Sequence, residues 1–551
     1  MQLIYINRKT NIAKYKNKDV LNLCIYGSFE KYFDVNLSEY FNIIKPHKSL
    51  EFKSQYLEKI DKIACELVSN ISDSNNKLAQ VLSYRTLSKL AVSDNLVDKF
   101  WVNEQIKSFK SSELLVFVDD IDIYNLYTSG RVKRRLSSIV PYKQIYYFLI
   151  FLINKLKASR HKSLINVKNN FKLFVGNKFE VNKNGAYIYD EYFFSKYWNN
   201  YSNPILLLNV GEWNPKIEIG KEVLFKESFL SINDLFNLLF VSLKHFFIPI
   251  QIVENSIEDC LINRNLCSDV KCGSFIDSYQ NFFVYKNVLK FLTSMNGELV
   301  IPHEGRSYEK IICSVFKDSP IRVIGYAHFP VSDRILNYFY GNFESLIYSK
   351  FSFYTLSENN FNQFKDLYKW PISKFRIGAH LKSKPVKSVI GNCKSFEILI
   401  LLGNELIQNI KLLTFVKHSL GNEQFKVLVR LHPSARGLKY LKQLFLKFNF
   451  FRIDENSLSE DVELSKIIVY GDTGAAIDCL NFNVPLCYIY DDNCLLSDRI
   501  FEEIDGHYRF HDINEFRLML PSLLKCDMNV SFEAIKRKYI SSLNPQLFSF
   551  E

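Results

Sequence analysis

The chain has 551 residues with a formal net charge of +12, and 47% of them are hydrophobic and 15% aromatic. This composition can bury large cores, so it excludes a wholly disordered protein, and the length suffices for two α/β domains with insertions. The positive charge suits an anionic substrate or an anionic membrane surface. It is spread along the chain and forms no stripe interleaved with aromatic residues, so we expect no nucleic-acid partner.

The 11 cysteines and the first residues of the chain bear on its compartment. Many of the cysteines lie in apolar runs and none has the spacing of zinc ligands, so we expect reduced, buried thiols and no bound metal. The N-terminal segment becomes polar before a long apolar core forms, so we predict no signal peptide. We therefore expect a cytoplasmic protein, with peripheral contact at the inner face of the cytoplasmic membrane.

In the N-terminal part, four apolar runs each end in polar residues. They cover residues 113–124, 204–213, 297–305 and 321–330. Residues 308–316 have the length of a helix between the last two runs, which predicts a βαβ unit. Residues 40–110 and 225–295 are predicted to be mostly helical. These patterns favour a Rossmann-like domain with helical insertions.

The most apolar run of the chain is IYYFLIFLI, at residues 145–153, flanked on both sides by Lys and Arg. Nine residues fall well short of the ~20 that span a bilayer. One interpretation is a buried helix with solvated ends, which general burial statistics favour. The other is a helix lying on an anionic membrane surface.

The C-terminal part alternates strands with helices over short connections. Strands are predicted at residues 396–402, 425–431, 450–453, 466–470 and 486–490, and helices at 404–420, 436–448 and 475–481. Ser457 and Glu460 form a capping box that predicts one further helix. Such alternation predicts a parallel, doubly wound sheet, in which ligands bind at the carboxyl ends of the strands.

These patterns predict an α/β protein of two Rossmann-like, doubly wound domains facing a cleft. We assign residues 1–380 to an N-terminal domain with helical insertions, 381–535 to a C-terminal domain and 536–551 to a C-terminal tail. The basic, proline-containing segment 375–390 is the predicted linker.

Two polar strand ends of the C-terminal domain are predicted to share one sheet edge. One carries His432-Pro433-Ser434, and the other carries Gly471-Asp472-Thr473-Gly474. A histidine can bind a phosphate or donate a proton, and a Thr hydroxyl with backbone N–H groups at a helix start binds anions. Taken singly, His432 could be a capping residue and Thr473 an ordinary N-cap. Together they favour a phosphate site, and the absence of a P-loop motif argues against a kinase or ATPase.

Two polar strand ends of the N-terminal domain offer a second set of candidates. His303-Glu304-Gly305-Arg306 ends one predicted strand, and Gly325 to His328 ends the next. A carboxylate and an imidazole on neighbouring strand ends can act as a general base on a hydroxyl. The alternative is a surface ion pair of Glu304 with Arg306 or Lys310.

Two segments carry a resemblance to known enzymes. VLVRLHPS followed by a strand and GDTGAAIDCLNFNVPL resembles the nucleotide half of bacterial GT-B glycosyltransferases that use CMP-activated acidic sugars. In bacterial sialyltransferases and related enzymes, an HP motif and a Ser/Thr pair bind the CMP phosphate. HEGRSYEKII and IRVIGYAHFPVS resemble the E-x(4)-E and G-x-x-H patterns of surface-carbohydrate (O-antigen and capsule) biosynthesis proteins. Together the matches cover residues 280–495, and Asp472 departs from the pattern because it leaves one hydroxyl where the family has two.

The resemblance implies roles for individual residues. Glu304, as base or nucleophile, would act in catalysis with His328 and His432. The residues implied to bind the phosphate and the nucleotide are His432, Pro433, Ser434, Asp472, Thr473 and Gly474. His303, Arg306, Glu309 and Gly403 are further candidates. No metal or other cofactor is expected, because His432, the helix start at Thr473 and nearby Lys and Arg would neutralise the leaving phosphate.

The implied function is transfer of an acidic nonulosonic-type sugar (sialic acid, Kdo, legionaminic or pseudaminic acid class) from a CMP donor. The acceptor would be a cell-surface glycan or a lipid-linked glycan. A UDP- or GDP-hexose transferase, or a nucleotide-sugar epimerase of the same fold, is an alternative. A non-catalytic assembly protein that docks on membranes through the IYYFLIFLI region is another.

Overall fold

The structure is a computed structural model of the full chain. It describes residues 2–5, 22–26, 42–44, 61–62, 65, 100, 103–104, 107–108, 114–118, 141–161, 171–176, 180–181, 187–188, 204–211, 213, 223–247, 260–261, 275–292, 296–327, 338, 340–378, 394–403, 406–421, 423–432, 441, 451–453, 457–490, 500, 504–525 and 532–540.

The described strands form three parallel sheets and one small hairpin. In chain order they are β1 Gln2–Tyr5, β2 Asn22–Tyr26, β3 Asn42–Ile44, β4 Leu114–Val118, β5 Phe171–Val175, β6 Glu180–Val181, β7 Tyr187–Ile188, β8 Pro204–Leu208, β9 Val223–Phe225, β10 Gly297–Pro302, β11 Arg322–Tyr326, β12 Phe351–Thr355, β13 Phe375–Ile377, β14 Phe396–Leu401, β15 Val427–Arg430, β16 Phe451–Ile453, β17 Ser465–Tyr470, β18 Leu486–Ile489 and β19 His507–Phe510. Strands β6 and β7 pair antiparallel as the hairpin.

The described helices lie mainly between these strands. They are α1 Tyr142–Ser159, α2 Ile232–Phe247, α3 Phe275–Leu292, α4 Ser307–Phe316, α5 Asn342–Ile347, α6 Glu358–Asn362, α7 Leu406–Leu420, α8 Leu458–Glu463, α9 Ala475–Cys479, α10 Ile513–Lys525 and α11 Glu533–Tyr539. The predicted capping box begins α8, since the Ser457 hydroxyl accepts from the Glu460 N–H and the Glu460 carboxylate accepts from the Ser457 N–H. None of the described helices is long and apolar enough to cross a bilayer.

The seven-stranded sheet has the order β13-β12-β11-β10-β5-β8-β9, and every described pair in it is parallel. The chain first builds outward from β5 to β8 and β9. It then returns to place β10 on the other side of β5 and builds the opposite way. The point where this order reverses lies between β5 and β10, and in doubly wound sheets ligands bind at the carboxyl ends of the strands at such a point.

The six-stranded sheet has the order β16-β15-β14-β17-β18-β19, again with parallel pairing throughout. Its order reverses between β14 and β17. Alternate residues of β14 face opposite layers: Ile398 and Ile400 pack with residues of α7 and α10, and Leu399 and Leu401 with residues of α9 and α11. A parallel sheet buried on both faces explains the near-continuous apolar strands of this region.

These two doubly wound parallel sheets confirm the predicted fold class. They supply the pair of Rossmann-like units that GT-B architecture requires. The predicted βαβ unit of β10, α4 and β11 is also confirmed.

Three features of the fold differ from the sequence predictions. The N-terminal part contains a second parallel sheet of four strands, in the order β1-β4-β2-β3, in addition to the seven-stranded one. The predicted linker begins too early, because residues 375–377 are the edge strand β13, while residues 379–390 lie outside the described part. Helix α11 spans the predicted boundary at residue 535. Phe532, which precedes the helix, and Tyr539, its last residue, pack into the core of the six-stranded sheet.

The apolar run at residues 145–153 lies within α1, which is not the buried helix that burial statistics favour. Only Gln144, Phe151 and Ala158 of this helix are buried. Tyr147, Phe148, Ile150 and Leu152 are partly buried against the core, and six other apolar side chains of this helix are exposed to solvent or to a partner.

Candidate functional site

The reversal point of the seven-stranded sheet carries the candidate carboxylate. Residues 303–306 follow β10 directly, and the Glu304 side chain is 7% exposed. Gly176, which follows β5, forms the other side of this point, where its N–H donates to the Leu207 carbonyl. Glu304 thus lies at the carboxyl edge of the sheet, where doubly wound folds bind their ligands.

Glu309, at the third position of α4, fixes the loop that carries Glu304. Its carboxylate accepts from the Glu304 N–H at 2.9 and 3.0 Å, from the Gly305 N–H at 2.8 Å and from His303 Nδ1 at 3.0 Å. The Glu309 side chain is fully buried. Gly305 adopts a φ of +68°, which a residue without a Cβ tolerates best. Glu309 therefore positions the loop and is shielded from any substrate.

His303 is likewise a buried supporting residue. Its ring is 0% exposed and lies among aromatic rings, with Phe353 at 4.7 Å and Phe351 at 5.0 Å between centroids. The Tyr338 hydroxyl donates to the His303 carbonyl at 3.1 Å. Since Nδ1 faces the Glu309 carboxylate, that nitrogen carries the proton. The structure thus brings His303, Glu304 and Glu309 together, with Glu304 nearest to solvent.

Arg306 pairs with Glu304, as one of the two sequence interpretations expected. The Arg306 Nε contacts the Glu304 carboxylate, with the Arg306 side chain half exposed. The pair is not a surface pair, because the Glu304 side chain is almost entirely buried. Lys310, the other expected partner, instead binds Glu344 at 2.6 Å in a buried pair. Arg306 thus presents a cation at the edge, next to the candidate base.

Two tyrosines near Glu304 keep their protons. Burial raises the pKa of Tyr308 and of Tyr338 well above the usual value, and the neighbouring Glu304 and Glu309 carboxylates raise it further. The Tyr308 hydroxyl is buried and has no hydrogen-bond partner among the described residues. Tyr308 is therefore a neutral phenol with an unused hydroxyl, whereas the Tyr338 hydroxyl already donates to the His303 carbonyl.

Sequence reasoning missed a lysine at the same sheet edge. Lys226 follows β9 and its Nζ donates to the Gly176 carbonyl at 3.1 Å. Glu227 beside it accepts from the Val210 N–H at 2.9 Å. Burial lowers the pKa of Lys226 to about 8, and Glu227 and Asp277 oppose that shift. No motif marks Lys226 in the sequence, because the strand pairing that brings it to Gly176 joins residues 50 positions apart.

The reversal point of the six-stranded sheet carries the candidate phosphate turn. Pairing of Leu401 with both Arg430 and Tyr470 places the end of β14 between the ends of β15 and β17. His432 and the turn at residues 471–474 are therefore on one edge, as expected, with Gly403 between them. Two strand spacings of about 4.8 Å separate the outer strands.

Gly403 and Asn409 hold this edge together. The Asn409 side chain accepts from the Gly403 N–H at 2.8 Å and donates to the Gly403 carbonyl at 2.9 Å. A Cβ on Gly403 would lie 2.2 Å from the Asp472 carbonyl oxygen. Sequence reasoning named Gly403 as a further candidate and missed Asn409, the polar residue within α7 that clamps it.

We expect Gly403→Ala to weaken both nucleotide binding and the fold. The added methyl group overlaps the Asp472 backbone, so the turn has to move, at a cost of about 1–3 kcal/mol of unfolding free energy. Gly471→Ala is the matched control for the unfolding free energy, because its Cβ would meet Leu412 at an ordinary 3.7 Å. Denaturant unfolding checks this, and equal unfolding free energies of the two variants would contradict the close approach. Nucleotide titration compares binding by Gly403→Ala with binding by the wild type.

The Thr473 side chain is buried and is not exposed to solvent as the hydroxyl of a simple anion-binding residue would be. Its side chain is 3% exposed, and its hydroxyl accepts from the Ala475 N–H at 3.4 Å. The helix that follows, α9, has five residues and not the predicted seven, so it contributes a small dipole. Asp472 and Gly474 are partly exposed at the same turn.

The remaining candidates cannot all be placed. His328, Pro433 and Ser434 lie outside the described residues, and His432 is partly buried at the end of its strand. Within the described part, no group of three or more His, Cys, Asp or Glu side chains is placed to hold a metal ion.

No family model matches the chain, and no curated protein matches it. Similar solved structures include TarM, with 12% identity and a TM-score of 0.35 over 48% of this chain and 56% of TarM. A glycosyltransferase from Rickettsia africae ESF-5 has 12% identity and a TM-score of 0.37, over 69% of this chain and 97% of that chain. The wall teichoic acid polymerase TagF has 11% identity and a TM-score of 0.39, over 74% and 95%.

These comparisons carry no functional argument at such identities and TM-scores. The chain also spans little more than half of TarM.

Proposed function

We propose that the chain is a nucleotide-sugar-dependent glycosyltransferase of the GT-B type. The observation that carries the proposal is the position of the two candidate sets at the reversal points of two doubly wound sheets. Glu304 follows β10 at one reversal point, and the Gly471–Gly474 turn follows β17 at the other. These are the places where such sheets bind ligands, and their residues offer a base on one sheet and phosphate contacts on the other.

In this proposal the donor binds at the edge of the six-stranded sheet. His432 and the backbone of the turn at residues 471–474 contact the donor phosphate. Pro433 and Ser434 keep the binding roles that the resemblance implies. The close approach of Gly403 to Asp472 supports this placement, since it fixes the turn against the neighbouring strand end. A fixed turn presents its N–H groups without reorganisation when the phosphate leaves.

The acceptor binds at the edge of the seven-stranded sheet. Glu304 takes the proton of the acceptor hydroxyl while the acceptor oxygen bonds to the anomeric carbon of the sugar. The bond from that carbon to the donor phosphate breaks, and the nucleotide keeps the electron pair. Arg306 assists at the same edge, and His328 keeps the catalytic role that the resemblance implies. His432 and nearby cations neutralise the phosphate without a metal ion.

The finer proposal is a CMP donor carrying an acidic nonulosonic-type sugar and a glycan acceptor of the cell surface. The HP motif at His432 and the Thr473 turn support it through their resemblance to CMP-sugar transferases. The net charge of +12 suits an acidic donor and acceptor.

Nucleotide binding tests the donor site. CMP at a hundred times its Kd should stabilise the protein by about 2.7 kcal/mol, and His432→Ala should remove about 1–3 kcal/mol of binding free energy. Thermal unfolding with CMP, CDP, UDP and GDP measures this. If only UDP or GDP stabilises the protein, the donor is a hexose nucleotide and not a CMP sugar. If no nucleotide raises the unfolding temperature, the proposed transferase function is wrong.

His418→Ala is the matched control for this experiment. His418 is exposed in the last turn of α7, and α7 starts at the carboxyl edge beside Gly403, so its end lies toward the opposite edge. We expect this variant to bind CMP as the wild type does.

A further inference from the structure

The exposed apolar side chains of the chain concentrate on two neighbouring helices. Ten of the sixteen exposed large hydrophobic residues in the described part belong to α1 and α2. Those of α1 are Tyr142, Ile145, Tyr146, Leu149, Ile153 and Leu156. Their spacing of three and four residues puts them on one side of the helix.

Helix α2 extends this surface. Its exposed apolar residues are Ile232, Phe236, Phe240 and Phe247, which again share one side. The rings of Phe148 on α1 and Phe236 on α2 lie 5.6 Å apart, so the two helices pack side by side. We call the ten exposed side chains the α1–α2 face.

The helices of the α1–α2 face carry more positive than negative charge. The two helices and the residue after α1 carry five cations, Lys143, Lys155, Lys157, Arg160 and Lys244, and one carboxylate, Asp234. Lys155 and Lys157 donate to the carbonyls of Ser228 and Gly211, at 3.0 and 3.4 Å. The Asp234 carboxylate is occupied, because it accepts from the Ser231 N–H at 2.8 Å and from Asn287 at 3.0 Å. Arg160 follows the last turn of α1 on the same side as Tyr142 and Ile153.

We propose that the α1–α2 face binds the surface of an anionic lipid bilayer, with both helices lying in the interface. Apolar side chains enter the acyl boundary while Lys143, Lys244 and Arg160 contact anionic headgroups. Neither helix is apolar enough to cross the bilayer, which fits a helix pair that lies on it. A second copy of this chain fits the face less well, because its own cations would oppose these cations.

The α1–α2 face includes none of the candidate site residues, and the proposal does not depend on the proposed function. It places the chain at a lipid surface, where a lipid-linked substrate would be concentrated. The helices carry none of the proposed catalytic or phosphate-binding residues, so substitutions on the face leave those residues unchanged.

Co-sedimentation of the full-length protein with vesicles tests the proposal. We expect binding to phosphatidylcholine vesicles that contain about 30% phosphatidylglycerol and much weaker binding to phosphatidylcholine alone. Leu149→Glu and Phe240→Glu should each lower the partition coefficient by about tenfold or more. Arg160→Gln should lower it about fivefold and make it less sensitive to salt.

Leu518→Glu is the matched control, since Leu518 is 79% exposed on α10 of the six-stranded sheet's domain. It should bind vesicles as the wild type does. If the wild-type protein binds no more strongly to vesicles with phosphatidylglycerol than to vesicles without it, the proposal is wrong. Equal vesicle binding by Leu149→Glu and Leu518→Glu would also contradict it. Light scattering that shows a dimer lost in Phe240→Glu, with no vesicle binding, would assign the face to a second copy instead.

Discussion

Replacing Glu304 by glutamine is expected to lower the turnover number by about 10²- to 10⁴-fold while the protein stays folded. Glutamine has nearly the same size but cannot take the acceptor proton. The contacts that fix the loop survive, because Glu309 binds the backbone N–H of residue 304 and not its side chain. Steady-state kinetics should show this loss in kcat, with KM for the donor nearly unchanged.

Glu298→Gln is the control for this result. Glu298 begins the ladder at the other end of the same strand, β10, and contacts Lys172 and Arg322. A glutamine there removes a carboxylate from the opposite edge of the sheet, so turnover should stay at the wild-type level. Near-native turnover in Glu304→Gln would show that Glu304 is not the base.

Removal of the Glu309 carboxylate should affect both stability and transfer. In Glu309→Ala, two backbone N–H groups and His303 Nδ1 lose their buried acceptor, which should cost about 3 kcal/mol or more of unfolding free energy. Glu309→Gln keeps the volume and one acceptor oxygen, so it should fold more stably than the alanine variant. Its turnover should still fall by about 10- to 100-fold, because a shifted loop misplaces Glu304.

A variant that destabilises the same domain at another position separates the effect of Glu309 on stability from its effect on turnover. Glu344→Gln removes the negative charge that pairs with the buried Lys310 and so weakens the fold, while the hydrogen bonds of the Glu344 carboxylate go to Lys310 and the Gly341 N–H. Below the unfolding transition this variant should keep its kcat. If Glu344→Gln and Glu309→Gln lose kcat equally, Glu309 acts through stability alone and the loop-positioning role is wrong.

Local patterns were enough to predict much of the C-terminal domain. The capping box of α8 and the apolar strands β14, β15 and β17 follow from residues close together in sequence. Their parallel arrangement also follows, since alternating strands and helices have few alternative topologies. This is why the sequence could place His432 and Thr473 on one edge.

Local sequence patterns do not determine the order of the strands in a sheet. The reversal points between β5 and β10 and between β14 and β17 depend on pairing between distant segments. The same limit hid Lys226 and hid Asp61, which accepts from the N–H groups of Asn342 and Phe343 at the start of α5, about 280 residues away. Strand β12 is a different case, because its sequence FSFYT is rich in aromatic and β-branched residues, a local signal that sequence reasoning overlooked.

Burial statistics also misjudged α1. They describe apolar runs in general, whereas the exposure of a helix side depends on what packs against it. Here the packing of α2 beside α1 leaves the outer sides of both helices uncovered by the described residues.

Incubation of the wild-type protein with a panel of nucleotide sugars, followed by NMR of the products, tests the central proposal most directly. We expect a CMP-activated acidic sugar to be consumed, with release of CMP and transfer of the sugar to a glycan acceptor or to water. Glu304→Gln and His432→Ala should each reduce this conversion strongly. A panel in which no nucleotide sugar is consumed, or in which both variants match the wild type, would contradict the proposed transferase and its sites.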